Sequence, residues 1–221
     1  MKPITVIARS PKRRTRPTST RKRSRKEAIL EAATHIFSAK GFHAANIIEI
    51  ADKAGIGKGT VYEYFPSKKA LFIDTLEYNA GRYNDMIEKA VGAEDGYDNK
   101  IGAFMRFHSC FIKDNLKAAA LLVKLPHNFS FSDEEKKETY DILTSSRNKT
   151  VKLLKEIICR GHDEGMIRDI DPEFAADAFL EMLTWNSIKS VMLGLSEEQS
   201  ESGRNKLMDM FINGAGQKNN R

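Results

Sequence analysis

The sequence predicts an all-α fold. From Ser24 onward apolar residues recur at helical spacing, and no alternating apolar–polar run of useful strand length appears. Capping residues and glycines also fall at intervals that start and stop helices.

Taken in order, the first helix is expected to start with Ser24 as cap and Glu27 as the reciprocal partner of a capping box. It carries the stripe Ile29, Ala32, Ala33, Ile36, Phe37 and stops at Gly41. Asn46 suits the cap of a short second helix, whose end Gly55 provides by tolerating a left-handed turn. A third short helix spans Lys58 to Tyr64. Pro66 and Ser67 then stop the chain and restart it as a fourth helix, which carries Leu71, Phe72, Leu76 and Tyr78 toward residue 90. The Gly, Asp and Asn of GAEDGYDN, residues 92–99, mark a linker. Five more helices are expected at 100–113, 115–127, 133–164, 172–193 and 197–213. Asp133, Asp171 or Pro172, and Ser196 or Glu197 mark starts, while Gly161, Gly165 and Gly194 mark ends or weak points.

The chain has 221 residues, enough for one large or two small domains with a substantial core. Cys110 and Cys159 are distant in sequence, so neither a disulfide framework nor a thiolate metal site is indicated. His35 and His43 lack ligands at metal spacing, and His108 and Cys110 point to different helix faces. No cofactor is indicated. The apolar run ITVIA is too short for a signal-peptide core and no run approaches a membrane span, so a reducing cytoplasm is the expected location.

Charge is unevenly distributed. Residues 1–26 hold eleven Lys or Arg and no acid, whereas the remainder carries 25 basic against 30 acidic side chains. The stretch PKRRTRPTSTRKRSRK has no apolar period, so residues 1–23 are expected to form a basic arm that is disordered until it meets a polyanion. Arg21, Arg23 and Arg25 are its candidate contacts to nucleic acid. A solubilising or membrane-surface tail is the alternative.

GIGKGT, residues 55–60, resembles a nucleotide phosphate loop at first sight. That loop needs a glycine five places before its Gly-Lys pair and a hydroxyl directly after the lysine. Asp52 and Gly59 occupy those places, and a helical rather than strand-like segment precedes them. Two helices joined at a glycine turn, the second short and rich in Lys, hydroxyl and aromatic side chains, instead make a helix-turn-helix. Gly57 and Gly59 keep bulk from the start of the second helix, where Lys58 can donate to guanine O6 or N7. Thr60 can offer its hydroxyl to a phosphate or its methyl to thymine. Tyr62, Tyr64 and Lys68 can reach the sugar-phosphate backbone.

GFHAANIIEIADKAGIGKGTVYEYFPSKKALF, residues 41–72, resembles the DNA-binding domain of the tetracycline-repressor (TetR) family. The resemblance rests on the Gly-Phe after the first helix, the Ile-Ala of the second, the Ala-Gly turn, and the Gly-Thr-Val-Tyr, Tyr-Phe and Ser-Lys-Lys-Ala-Leu that follow. It implies that Lys58, Gly59, Thr60, Tyr62, Tyr64 and Lys68 occupy DNA-contact positions, with Lys68 gripping phosphate. Asn46 and Ile48, at the start of the second helix, are counted with them. Two residues depart from the family pattern. Ile48 stands where a polar or basic reader is common, and is expected to pack inside rather than to meet a thymine methyl. Glu63 faces a polyanion, and is expected to point away rather than to accept from cytosine N4.

Beyond residue 72 the resemblance is one of pattern. EGMIRDIDPEFAADAFLEMLTW, residues 164–185, is similar to the segment that leads into a dimer-forming helix in the family. Helix 172–193 is itself apolar on two sides, with one stripe of Phe174, Ala178, Met182, Trp185, Ile188 and another of Ala175, Phe179, Leu183, Val191, so it needs cover twice. Burial within one subunit is the alternative to a dimer. Phe179, Leu183, Met210 and Phe211 are the expected interface residues of a homodimer. Bulky side chains around a few polar ones suggest a pocket for a small hydrophobic or aromatic effector, lined by Phe104, Phe107, Phe111, Leu122, Tyr140, Met182 and Trp185 and oriented by His108 and Asn186.

The sequence therefore predicts a helix-turn-helix domain at residues 24–71 and a helical ligand-binding and dimerisation domain at 72–221. The expected function is a ligand-responsive transcriptional repressor on a pseudo-palindromic double-stranded operator. The alternatives are a constitutive DNA-binding protein and a helical small-molecule enzyme. For the last, no acid, base and nucleophile set appears at an interpretable spacing.

Overall fold

The structure is a computed structural model that describes the backbone of residues 19–128 and 132–213 and the side chains of residues 25–115 and 132–213. Among the described residues the secondary structure is helical throughout. The eight helices are α1 (Ser19–Ala44), α2 (Ile47–Lys53), α3 (Lys58–Tyr64), α4 (Lys68–Gly92), α5 (Tyr97–Asn128), α6 (Asp133–Asp163), α7 (Pro172–Met192) and α8 (Glu197–Asn213).

Helix α1 begins at Ser19, so Ser24 lies inside it and is not the expected cap. The stretch from Ser19 to Ala28 contains neither Gly nor Pro, so nothing stops the helix from extending toward its N-terminus. Residues 19–23 are thus helical, in contrast to the expected disordered arm; residues 1–18 lie outside the described region. Gly41 breaks the run as expected, with φ 78°. That region is open to glycine and strained for a residue with a Cβ.

Local caps set the other starts. Asn46 accepts from the Ile48 amide, Ser67 from that of Ala70, and Asp171 from those of Glu173 and Phe174. The cap of α6 is Ser132 rather than Asp133. Its hydroxyl and the Glu135 carboxylate form a reciprocal capping box, a signature readable in S-D-E-E. The two helices expected at 100–113 and 115–127 are one helical run kinked at Asn115, whose φ and ψ are −113° and 15° and whose side-chain amide donates to the Phe111 carbonyl.

Two cores result. The first packs Ile29, Ala33 and Phe37 of α1 against Ile50 of α2, Val61 of α3 and Leu71 and Phe72 of α4. The rings of Phe37 and Phe72 meet edge to face at 5.0 Å. The second joins Ile87 of α4, Tyr97 and Phe104 of α5, Leu154 and Ile158 of α6, and Phe179 and Leu183 of α7. Helix α4 enters both cores and so links the small and large domains, and α1 also packs on α5. Leu143 of α6 packs against the first core, and Lys69 of α4 pairs with Glu135 of α6 at 3.0 Å.

Gly161, expected at a helix end or weak point, sits in the last turn of α6 for a packing reason. A Cβ there would lie 2.5 Å from the Tyr97 ring, so only glycine admits that side chain to the core. No helix among the described residues is long and apolar enough to cross a membrane.

Candidate functional site

Helices α2 and α3 meet through the turn at Gly55, whose φ is 66°. Buried Ile50, Ala51 and Val61 hold this pair on α1 and α4, leaving one side of each helix uncovered. On that side Lys58, Gly59 and Glu63 are exposed, and Tyr62 is 44% exposed. The Lys58 ammonium lies 5.9 Å from the Tyr62 ring centroid, one helical turn on, so the ring pre-orients the cation without desolvating it. Ile48 is 47% exposed, which overturns the expectation that it packs inside: Ile47, Ile50 and Ala51 already take the inward positions of a short helix.

Other expected contact residues have work inside the fold. The Asn46 side-chain oxygen caps α2 at 2.9 Å from the Ile48 amide. Thr60 is half-buried, and Tyr64 is half-buried against the first core. Lys68 differs most from its expected phosphate grip. Its ammonium donates to the carbonyls of His43 at 3.0 Å and Ala45 at 2.8 Å, and stands 4.7 Å above the Phe42 ring. Two of its three N–H groups therefore tie α4 to the end of α1, and desolvation lowers its pKa. Arg25 is half-buried; the side chains of Arg21 and Arg23 lie outside the described residues.

A cavity of about 320 Å³ opens among α4, α5, α6 and α7. Its wall is mainly apolar, from Leu76, Ala80, Phe111, Ile112, Leu143 and Leu180. At the inner end His108 is 5% exposed and bridges two hydroxyls, Tyr83 at 2.7 Å and Thr184 at 2.9 Å. Thr184 gives its own proton to the Leu180 carbonyl, so it accepts from His108 Nε2–H, and Tyr83 donates to Nδ1. Burial pushes the His108 pKa down to about 4, keeping the ring neutral, and raises that of Tyr83.

Of the expected pocket residues, His108 and Phe111 line this cavity. Phe107 packs on Tyr83 behind them, and Phe104 is fully buried in the second core. Tyr140 and Trp185, 68% and 62% exposed, lie outside the wall, as does Met182, while Asn186 lies against Gly203 of α8. Leu122 falls outside the described side chains. Met182 and Trp185 miss the cavity because the α7 side that lines it carries Leu180, Glu181 and Thr184 instead. Apart from the apolar wall, the lining residues not anticipated are Asn79 and Tyr83 of α4, Asn115 of α5, Ser146, Arg147 and Thr150 of α6, and Glu181 and Thr184 of α7. A signal for them was available in the i, i+4 spacing of Asn79 with Tyr83 and of Phe111 with Asn115.

The expected interface residues also divide. Phe179 and Leu183 are completely buried inside one subunit, with Phe179 on the Phe211 ring at 4.6 Å, so they cannot meet a second copy. The other α7 stripe is the uncovered one, with Phe174 67% and Trp185 62% exposed. Met210 is 41% exposed. Among the described residues no group of His, Cys, Asp and Glu is placed to hold a metal ion.

An exposed two-helix reading head on a helical body defines a helix-turn-helix DNA-binding protein. Residues 29–75 match the family model of bacterial regulatory proteins of the tetR family, and residues 137–213 match the C-terminal domain of AefR-like transcriptional repressors. The chain belongs to the TetR family of DNA-binding transcriptional regulators, a family of regulators rather than enzymes. It is 26% identical over 187 residues to the HTH-type transcriptional repressor KstR2 of Mycolicibacterium smegmatis, covering 80% of this chain and 84% of that one. The similarity to the regulator RutR of Escherichia coli K12 is higher but shorter, 48% over 63 residues, and spans 26% of this chain and 30% of RutR. Among solved structures, the regulator FadR of Bacillus subtilis in complex with stearoyl-CoA superposes with a TM-score of 0.66 at 19% identity, over 86% of this chain and 99% of FadR. At that identity the likeness concerns the fold.

Proposed function

We propose that this protein is a homodimeric repressor that holds a pseudo-palindromic operator and releases it when a small, largely apolar effector enters the cavity among α4, α5, α6 and α7. The observation that carries this reading is the shared wall: Leu76 and Leu143 line the cavity and also pack against the core of the DNA-reading domain. Asn79 also lines it and donates to the Thr34 hydroxyl of α1 at 2.9 Å. A guest that displaces these side chains shifts α4 and α1, and with them the spacing of the two reading heads. It does so only by its differential affinity for the two states. The repressor sense is supported by the names of KstR2 and the AefR-like domain, and an apolar guest by the stearoyl-CoA of the FadR complex.

Lys58, Thr60, Tyr62 and Ile48 form the base- and backbone-facing set, and the basic N-terminal residues add phosphate contacts. The dimer uses the exposed stripe of α7, Phe174, Ala178, Met182, Trp185 and Ile188, with α8 beside it. Paired reading heads then fall about 34 Å apart or a multiple of it, as successive major grooves require. The test is a fluorescence-anisotropy titration of the protein against its own promoter DNA, with random duplex as competitor and a library of hydrophobic compounds as added ligands. Specific binding that one compound class weakens at least tenfold is expected. Binding that no ligand alters, or that random duplex displaces equally, would contradict the reading.

A further inference from the structure

The polar groups of the cavity are not neutral as to what they accept. Arg147 and Glu181 are the two charged residues in its wall, and they are bonded to each other, with Arg147 Nη2 2.9 Å and Nε 3.3 Å from Glu181 Oε1. The same Nη2 lies 2.7 Å from Asp177 Oδ1. One cation is thus set against two carboxylates, and the hydrogen bond that Arg147 donates to Glu181 is the leading cause that raises the Arg147 pKa. The three side chains are 39%, 49% and 64% exposed, so solvent screens them in part, but an incoming carboxylate or phosphate still meets a guanidinium already paired and a second negative charge beside it.

The uncharged groups lean the same way. Both N–H groups of the Asn79 amide are committed, one to Thr34 Oγ1 at 2.9 Å and the other to the Thr75 carbonyl at 2.7 Å. The Asn115 amide donates to the Phe111 carbonyl at 2.9 Å, and the Tyr83 and Thr184 hydroxyl protons go to His108 and Leu180. Among the described residues no protein donor meets Oδ1 of Asn79 or of Asn115. These two oxygens and the Glu181 carboxylate are acceptors that call for a donating guest, while the Ser146 hydroxyl, which accepts from the Asn84 amide at 3.0 Å, can still give its own proton to a neutral guest oxygen.

We infer that the cavity selects an apolar molecule that carries hydrogen-bond donors, a hydroxyl or N–H, and no negative charge, and that Glu181 with Asp177 is the element that turns anions away. The inference rests on the effector reading given above and narrows it: fatty-acid anions and phosphate-bearing acyl carriers are disfavoured, whereas alcohols, phenols, amides and amines fit. Glu181 and Asp177 act as specificity residues, because neither is needed to fill the apolar part of the cavity.

A matched series separates charge from shape. Decan-1-ol, decylammonium and decanoate share one ten-carbon chain and differ only in the head, and each can be titrated calorimetrically into the full-length protein at neutral pH. The alcohol and the ammonium are expected to bind, with decanoate weaker by about tenfold or more, the size of one missing charge-assisted hydrogen bond. In the double variant Asp177→Asn, Glu181→Gln the guanidinium is freed, so decanoate is expected to gain about tenfold while the ammonium weakens. Ala80→Phe fills the cavity and serves as the location control, with circular dichroism confirming helicity. Decanoate binding as tightly as decan-1-ol, and losing that binding in Ala80→Phe, overturns the charge selection and leaves the effector cavity standing. If no member of the series binds, or binding survives Ala80→Phe, the effector reading itself is overturned and this inference with it.

Discussion

Replacing Trp185 with alanine tests the proposed dimer most directly. A tryptophan side chain presents about 200 Å² of surface. The indole is 62% exposed in the subunit, so covering it with a second copy would remove roughly 125 Å² from water. At ~25 cal/mol per Å² this is about 3 kcal/mol for each subunit. A twofold interface uses the residue twice, so the loss on truncation approaches about 6 kcal/mol per dimer, roughly four decades in the dissociation constant. Association does not return the full area value, and about two decades is a safe lower expectation. Sedimentation equilibrium over a range of concentrations measures the constant, and far-ultraviolet circular dichroism checks that the helices persist. Phe179→Ala is the contrasting variant. Its ring is fully buried inside the subunit, so the expected loss is about 3–5 kcal/mol of folding stability rather than a selective loss of dimer. A Trp185→Ala protein with wild-type helicity and an unchanged dimer constant would refute the proposed face.

Further expectations concern the reading head and the cavity. Lys58→Ala should relax preference at one base position in each half-site by about 1–3 kcal/mol, measured by competition among single-base operator variants. Lys68→Ala should instead lower folding stability, because two carbonyls at the end of α1 lose their donor; at a half-buried site about 1–2 kcal/mol is expected, read from denaturant melts without DNA. His108 has a folded pKa of about 4 against an ordinary 6.5, so between these values the unfolded chain binds more protons. Stability should therefore fall as pH drops from 6.5 toward 4, by up to about 1.4 kcal/mol per unit, and His108→Asn should flatten that slope in urea titrations. Removing residues 1–18 should weaken operator binding and reduce the slope of log K against log salt by about 0.9 for each phosphate that the arm neutralises; an unchanged slope would show that it neutralises none.

Much of the helical order was legible because its signals are local. Caps such as Asn46, Ser67 and Asp171, the glycines at 41 and 55, and the break near Asn115 act within one or two turns of chain. The reading head was legible for the same reason: a helix of seven residues that buries only Val61 leaves Lys58, Gly59, Tyr62 and Glu63 exposed. The start of α1 was misread because a Ser-x-x-Glu signature marks a possible cap, not an obligatory one, when helix formers precede it.

What the sequence alone could not decide is which neighbour each helix face meets. It showed that α7 is apolar on two sides; the tertiary structure turned Phe179 and Leu183 inward, away from any second copy, and left Phe174 and Trp185 uncovered. It showed a surplus of bulky groups; the crossing of α4, α5, α6 and α7 determined that Tyr83, Asn79 and Arg147 surround the space while Phe104 fills the core and Tyr140 faces outward. Hydrophobicity and period specify that a face must be buried, since both depend on residues three and four apart on one helix. The partner that buries it depends on contacts between residues tens of positions apart, such as His108 with Thr184 and Lys68 with His43, and only the folded chain brings those together.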